Sequence, residues 1–155
     1  MMPRFSESSR LRLASCHPAL IDLFETVIEE YDATVIEGHR GQEAQHAAFI
    51  GGKSQLDWPK GKHNRMPSLA VDVAPAPIDW GEKGTPAERE KARARFYHFA
   101  GYVLGVARCK GITVRWGGDW ARDFDPRDNR FADLVHFELV EEPPTPVLAR
   151  HEEIA

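Results

Sequence analysis

Leu69-Ala-Val-Asp-Val73 and Leu134-Val-His-Phe-Glu-Leu-Val140 are short runs of β-branched and apolar residues. Each carries a polar side chain where a strand core is expected. Side chains alternate across a strand with a period of two. Leu69, Val71 and Val73 therefore share one face, with Ala70 and Asp72 on the other. In the second run Val135, Phe137 and Leu139 share a face and His136 points the opposite way. Two such strands can each bury an apolar face and aim Asp72 and His136 at a common site. His63, in Lys62-His-Asn-Arg-Met-Pro67, completes a set of two imidazoles and one carboxylate. That is a normal ligand set for a catalytic zinc, with the fourth position left to water.

Outward from these runs, helical and extended patterns intersperse. Leu20, Phe24, Val27, Ile28 and Tyr31 recur at helical spacing and predict a first helix from Pro18 to Tyr31, with proline in its first turn. Thr34 to Glu37 reads as a strand, followed by a short helix from Gln42 to Ile50 and a loop from Gly51 to Met66 that delivers His63. The strand at Asp72 ends in Ala74-Pro-Ala-Pro77, where prolines remove ladder donors. Thr85-Pro-Ala-Glu88 is a capping box with proline just inside it, opening a helix that stops near Gly111. Ile112 to Trp116 is a further strand. There are too few β-α-β units for a doubly wound sheet. The expected fold is α+β, a small antiparallel sheet with helices packed on one face and the metal on the other.

The chain of 155 residues fits a single domain, residues 1–155, with the proline-rich stretch 142–155 as a peripheral tail. Its 42% apolar and 28% charged content is that of a soluble globular protein. A net charge of −4 argues against a nucleic-acid partner. The charges of Glu88 to Arg95 mix signs and read as a solvated helix face. Cys16 and Cys109 stand in no Cys-x-x-Cys arrangement and suggest free thiols. No apolar run approaches the ~20 residues that span a bilayer, and the N-terminus lacks the apolar segment of a Sec-type signal. Synthesis in the cytoplasm without stable membrane association is the expectation, with any export dependent on another protein.

Asp133 lies three residues before His136, so in a regular strand the two would face opposite ways. Asp133 is therefore expected in the turn before the strand, from which its carboxylate can reach a water on the metal and act as a base. Arg40 follows a strand in Glu37-Gly-His-Arg40, and a guanidinium beside a metal can hold an oxyanion. Alone, these two residues read as a turn residue and a surface ion pair. Trp116 and Trp120 flank Gly117-Gly118 and are candidates for the wall of a substrate groove, though buried aromatics are commonly core. Asp123, Asp125 and Asp128 crowd one loop without the glycine and terminal glutamate of a calcium-binding EF-hand, which favours an Asp-rich turn.

Taken together, His63-Asn, Pro67-Ser-Leu-Ala-Val-Asp-Val-Ala-Pro75, Trp116-Gly-Gly-Asp-Trp120 and Asp133-Leu-Val-His-Phe-Glu-Leu139 resemble a family of zinc peptidases. The family groups D-Ala-D-Ala carboxypeptidases with L-alanyl-D-glutamate endopeptidases, and the chain is similar to its phage endolysin branch from about Arg40 to Leu139. The resemblance implies a hedgehog-type α+β fold, one zinc per chain and cleavage of peptidoglycan stem peptides by a monomer released with the help of a protein such as a holin. It implies His63, Asp72 and His136 as ligands, Asp133 as the catalytic carboxylate and Arg40 as the oxyanion-stabilising cation. Gly61 departs from the wider family, which usually has serine two before the first histidine, and the His63-to-Asp72 gap is the longer one of the phage branch. Rival readings are a D-Ala-D-Ala carboxypeptidase or dipeptidase with the same chemistry, and a non-catalytic hedgehog-type metal-binding module, against which an intact Asp133 and Arg40 speak. A histidine-metal nuclease fits poorly with the acidic net charge.

Overall fold

The computed structural model describes residues 1–141, so the tail expected to be peripheral, 142–155, lies outside the described residues. Both deciding runs are strands. β1 (Ala33–Glu37), β2 (Ala70–Pro75), β3 (Val114–Gly117) and β4 (Asp133–Leu139) form one antiparallel sheet in the order β1-β2-β4-β3. The helices are α1 (Glu7–Ala14), α2 (Pro18–Ile28), α3 (Gln42–Ile50) and α4 (Pro86–Lys110). The fold is α+β, as the pattern of elements predicts.

The register of the two central strands sets both faces. Ala70 pairs with Glu138, Val71 with Phe137 and Asp72 with His136. Val71, Val73 and Phe137 are fully buried on the apolar face, beneath α2 and α4. The Phe137 ring meets Phe24 of α2 edge-on at 5.5 Å and Phe99 of α4 at 6.1 Å. α4 begins as its capping box predicts: Glu88 N–H donates to Thr85 Oγ1 at 3.2 Å, and Thr85 N–H to Glu88 Oε2 at 2.7 Å. It ends at Gly111, whose φ of 70° is the left-handed conformation glycine adopts at no steric cost. α2 stops at Ile28, short of the expected Tyr31. Tyr31 instead sets its ring against Phe99 at 5.0 Å and its hydroxyl against His98 Nδ1 at 2.8 Å.

α1 has no counterpart in the sequence reading. Only Ser9 and Leu13 of it are buried, so its periodicity is weak. It covers the outer edge of β1, a place where free backbone groups need partners. Ser9 Oγ accepts from Val35 N–H at 3.1 Å, and the Arg12 guanidinium donates to Val35 O at 3.0 Å.

The pairing of β3 with β4 is irregular where it matters most. Trp116 pairs with Phe137, but the next residue, Gly117, pairs with Asp133. Asp133 is thus the first residue of β4 and not in the turn before it, a correction to the expectation. The break in pairing does what the turn was expected to do, because it interrupts the alternation between Asp133 and His136. It also brings Leu134, in place of Val135, against the core. Gly117 makes this approach possible. A Cβ there would run into the Asp133 carbonyl oxygen and come within 3.0 Å of Asp133 Cβ. Gly117→Ala should therefore lower the unfolding free energy by about 1–3 kcal/mol, the usual cost of overpacking. A denaturant titration that gives the same midpoint for variant and parent would show that the two strands do not need this contact.

Candidate active site

The cross-strand pair brings Asp72 and His136 side by side on the polar face of the sheet. His63 reaches them from a 3-10 turn, Lys62–Asn64, inside the segment read as a loop. His63 Nε2 lies 3.1 Å from Asp72 Oδ1 and 3.2 Å from His136 Nδ1, and His136 Nδ1 lies 3.2 Å from Asp72 Oδ1. All three residues are buried, and their donor atoms lie within 4.8 Å of one another.

The partners of the remaining ring nitrogens decide what this cluster can hold. His63 Nδ1 lies 2.7 Å from the Gly38 carbonyl, which can only accept, so Nδ1 carries the proton and Nε2 keeps its lone pair. His136 Nε2 lies 2.8 Å from Glu138 Oε2, which assigns its proton the same way and leaves a lone pair on Nδ1. Two neutral imidazoles and a carboxylate then point three lone pairs at one place. They repel one another unless a proton or a cation sits between them. Ligand atoms of a tetrahedral zinc stand about 3.4 Å apart, close to the observed spacing. The donor set fits a metal ion.

Electrostatics separates the three carboxylates. Burial works to raise Asp72, but His63 and His136 more than offset it and hold its carboxyl well below the usual range. Burial likewise opposes ionisation of Glu138, yet His136 and Arg115 bring it down to about 2. Asp133 goes the other way, raised by burial and by the neighbouring Asp72. For His136, burial favours the neutral ring, but Asp72 and Glu138 together pull the pKa up to about 9, so without a metal a second proton sits on Nδ1 against Asp72 below that pH, and a bound cation would take its place.

Arg40 is built into the site from below. It donates through Nη2 to Glu37 Oε2 at 2.5 Å and through Nη1 to Gln45 Oε1 at 3.2 Å, and it lies 3.6 Å from Asp72 Oδ2. The fully buried Gln45 also receives Asn64 Nδ2 at 3.0 Å and donates to Ser54 Oγ at 3.0 Å, tying α3 to the His63 turn. The departure at Gly61 has a local cause: a Cβ there would stand 2.9 Å from Asn64 Oδ1, which accepts from Gly61 N–H at 2.9 Å.

A cavity of about 830 Å3 opens over the cluster, lined among others by Arg40, His63, Trp120, Asp133, His136 and Glu138. Trp120 lies in its wall, 5.4 Å from the His136 ring, with its Nε1 donating to Phe131 O at 2.6 Å. Trp116 does not line the cavity. It is buried in the core, edge-on to Tyr97 at 5.5 Å, with its Nε1 donating to Leu134 O at 2.8 Å. Its indole lies where a Cβ at Gly118 would go, so the glycine pair serves packing. His39 and His46 stand apart, bonded to Arg65 O and to Asp57. In the acidic loop, Asp123 accepts from Asp125 N–H at 2.9 Å and Asp125 from Arg127 N–H at 3.0 Å, as in an Asp-rich turn.

Glu138, Glu37 and Gln45 are site residues that the sequence reading left without a role. Glu138 was within reach, because the alternation that turns His136 to the polar face turns Glu138 there too. Its Oε1 receives Arg115 Nε at 2.9 Å, so a fixed carboxylate orients the His136 ring. Replacement Glu138→Gln keeps the acceptor and loses the charge. Affinity for added Zn2+, measured by competition with a chromogenic chelator, should fall roughly 10- to 100-fold. An affinity equal to the parent's would mean that Glu138 does not tune the site.

No curated protein sequence matches the chain. Among solved structures it is similar to the Serratia marcescens L-Ala D-Glu endopeptidase ChiX, with a TM-score of 0.64 and 25% sequence identity over 90% of this chain and 91% of that one. The model of the family described as phage L-alanyl-D-glutamate peptidase matches residues 1–140. A metal-competent cluster, an adjacent carboxylate and a guanidinium in one cavity are what a hydrolase of amide bonds needs, and the chain belongs to the phage L-alanyl-D-glutamate peptidase family.

Proposed function

We propose that this protein is a zinc-dependent peptidoglycan hydrolase that cuts the stem peptide between L-alanine and D-glutamate. The observation that carries the reading is the convergence of His63, Asp72 and His136 under a cavity that also holds Asp133 and Arg40, in a member of this family. His63 Nε2, Asp72 Oδ1 and His136 Nδ1 would hold one zinc ion per chain. Zinc there would supply a Lewis acid for the scissile carbonyl and lower the pKa of water toward ~7.

The chain's own groups do the rest. Asp133 takes a proton from the attacking water as its oxygen bonds to the alanyl carbonyl carbon. The same carboxyl then gives that proton to the departing nitrogen of D-glutamate as the C–N bond breaks. Its raised pKa suits this exchange, since a base nearer the working pH gives the proton back more readily. Arg40, held by Glu37 and Gln45, keeps N–H donors free for the carbonyl oxygen as it becomes an oxyanion. No covalent intermediate is needed. Cys16 is buried, its thiol pushed up to about 11 by burial, and neither cysteine has a role.

One digest tests bond and base together. Purified peptidoglycan is incubated with the zinc-loaded parent and with Asp133→Asn, and newly freed amino groups are labelled and identified. The parent should release the amine of D-glutamate. Asp133→Asn should keep its zinc and melting temperature and lose roughly 100-fold or more in rate, as expected for a missing general base. Release of D-alanine instead would favour the carboxypeptidase reading, and a fully active Asp133→Asn would remove Asp133 from the chemistry.

A further inference from the structure

The cavity has the opposite charge to the protein. The chain carries a net charge of −4. Its cavity is nonetheless lined by Arg40, Lys53, Lys60, Lys62, Arg115 and Arg130 against the carboxylates of Asp128, Asp133 and Glu138. Three of the cations are already matched. Arg40 faces Glu37 and Asp72, Arg115 is bonded to Glu138, and Lys62 Nζ lies 4.0 Å from Glu138 Oε1.

Lys53, Lys60 and Arg130 are not matched: among the described residues they form no ion pair. Lys60 is near Asp57, but that carboxylate already accepts from Trp58 N–H at 2.8 Å and faces His46 at 3.1 Å. Asp128 has Asp119, Asp123 and Asp125 around it and forms no ion pair among the described residues. The three free cations come from two segments, Lys53 and Lys60 from the loop after α3 and Arg130 from the loop before β4. Cations left unmatched around one concave space raise the local concentration of anions and favour an anionic ligand.

On the reading proposed above, the ligand is a peptide cut on the amino side of D-glutamate. A glutamyl residue has two carboxyl groups, and when the chain continues through one, the other is left free. Whichever is free, it stands only a few bonds from the scissile nitrogen and so lies in the cavity with the reacting atoms. We propose that Lys53, Lys60 and Arg130 bind this free carboxylate, so that the enzyme selects stem peptides whose D-glutamyl carboxyl is ionised over those in which it is a carboxamide. The inference rests on the L-alanyl-D-glutamate reading and assigns to it a charge specificity. The three side chains are exposed, so the interaction is one that salt screens.

The test uses two synthetic peptides, each N-acetylated and C-terminally amidated around an L-Ala-D-Glu-L-Ala core, one with the free glutamyl carboxylate and one with a carboxamide in its place. The zinc-loaded parent should cleave the carboxylate peptide with kcat/KM about tenfold or more above the carboxamide peptide, as one charge-assisted hydrogen bond would give. That advantage should shrink as NaCl is raised. In the triple variant Lys53→Gln/Lys60→Gln/Arg130→Gln the rate on the carboxylate peptide should fall to the level of the carboxamide peptide, with zinc content and melting temperature measured on the same preparation. Equal parent rates on both peptides overturn the inference and leave the bond assignment standing. No cleavage of either peptide overturns the bond assignment itself and the specificity with it. A preference that survives in the triple variant overturns the assignment to these residues.

Discussion

The pairing of Asp72 with His136 across β2 and β4 is the constraint from which the site follows. The polar atoms do not set that register; the opposite face of the same strands does. Val71 and Phe137 are partners one step along and fully buried. Burying a phenylalanine or valine side chain contributes roughly 1.5–3 kcal/mol each. A slip of one residue would exchange the faces, exposing Phe137 and driving Asp72 or His136 into the core. An ionised carboxylate stranded there costs several kcal/mol. The hydrophobic effect on one side of the sheet therefore holds the donor atoms on the other side at their spacing. His63 comes from outside the sheet and needs its own anchors, which are the Gly38 carbonyl and the Gln45–Asn64 linkage.

With the donors fixed, the neighbours give each carboxylate a different character. Asp72 sits between two imidazoles, with Arg40 on its second oxygen, and is held as an anion. Glu138 is held as an anion by His136 and Arg115 but faces away from the donor cluster, as an orienting group. Asp133 has no cation bonded to it among the described residues, and burial beside Asp72 pushes it upward. One small face thus carries an anion among the three donor residues, an anion that orients His136 and a carboxyl raised toward its neutral form. Such divergence of environments is how a site assigns separate roles to chemically identical side chains.

Much of this was legible in the sequence because two-residue alternation is a local property. The faces of β2 and of the C-terminal half of β4, with Asp72 and His136 turned to the same side, follow from it, and the capping box of α4 is legible from its own local signature, a threonine three residues before a glutamate. What was not legible depends on contacts between distant segments. α1 is held by Ser9 and Arg12 on the edge of β1, and its own pattern is nearly featureless. Asp133 was expected in a turn because a regular ladder was assumed. The irregular pairing at Gly117 is set by a close approach between strands that no single stretch records. Trp116 and Trp120 lie in one motif of similar composition, yet one is core and the other lines the cavity. Glu138 is different: two residues after His136, it shares that residue's face by alternation alone, but the pattern does not say which partner its carboxylate takes.

On the proposed function, His63, Asp72 and His136 together hold one zinc ion. The most direct measurement is anomalous scattering from crystals of the zinc-loaded protein, with data collected on both sides of the zinc absorption edge. One strong anomalous peak per chain is expected, bounded by His63 Nε2, Asp72 Oδ1 and His136 Nδ1 and absent below the edge. A zinc-replete protein whose peak lies elsewhere, or whose three side chains meet with no peak between them, would contradict it.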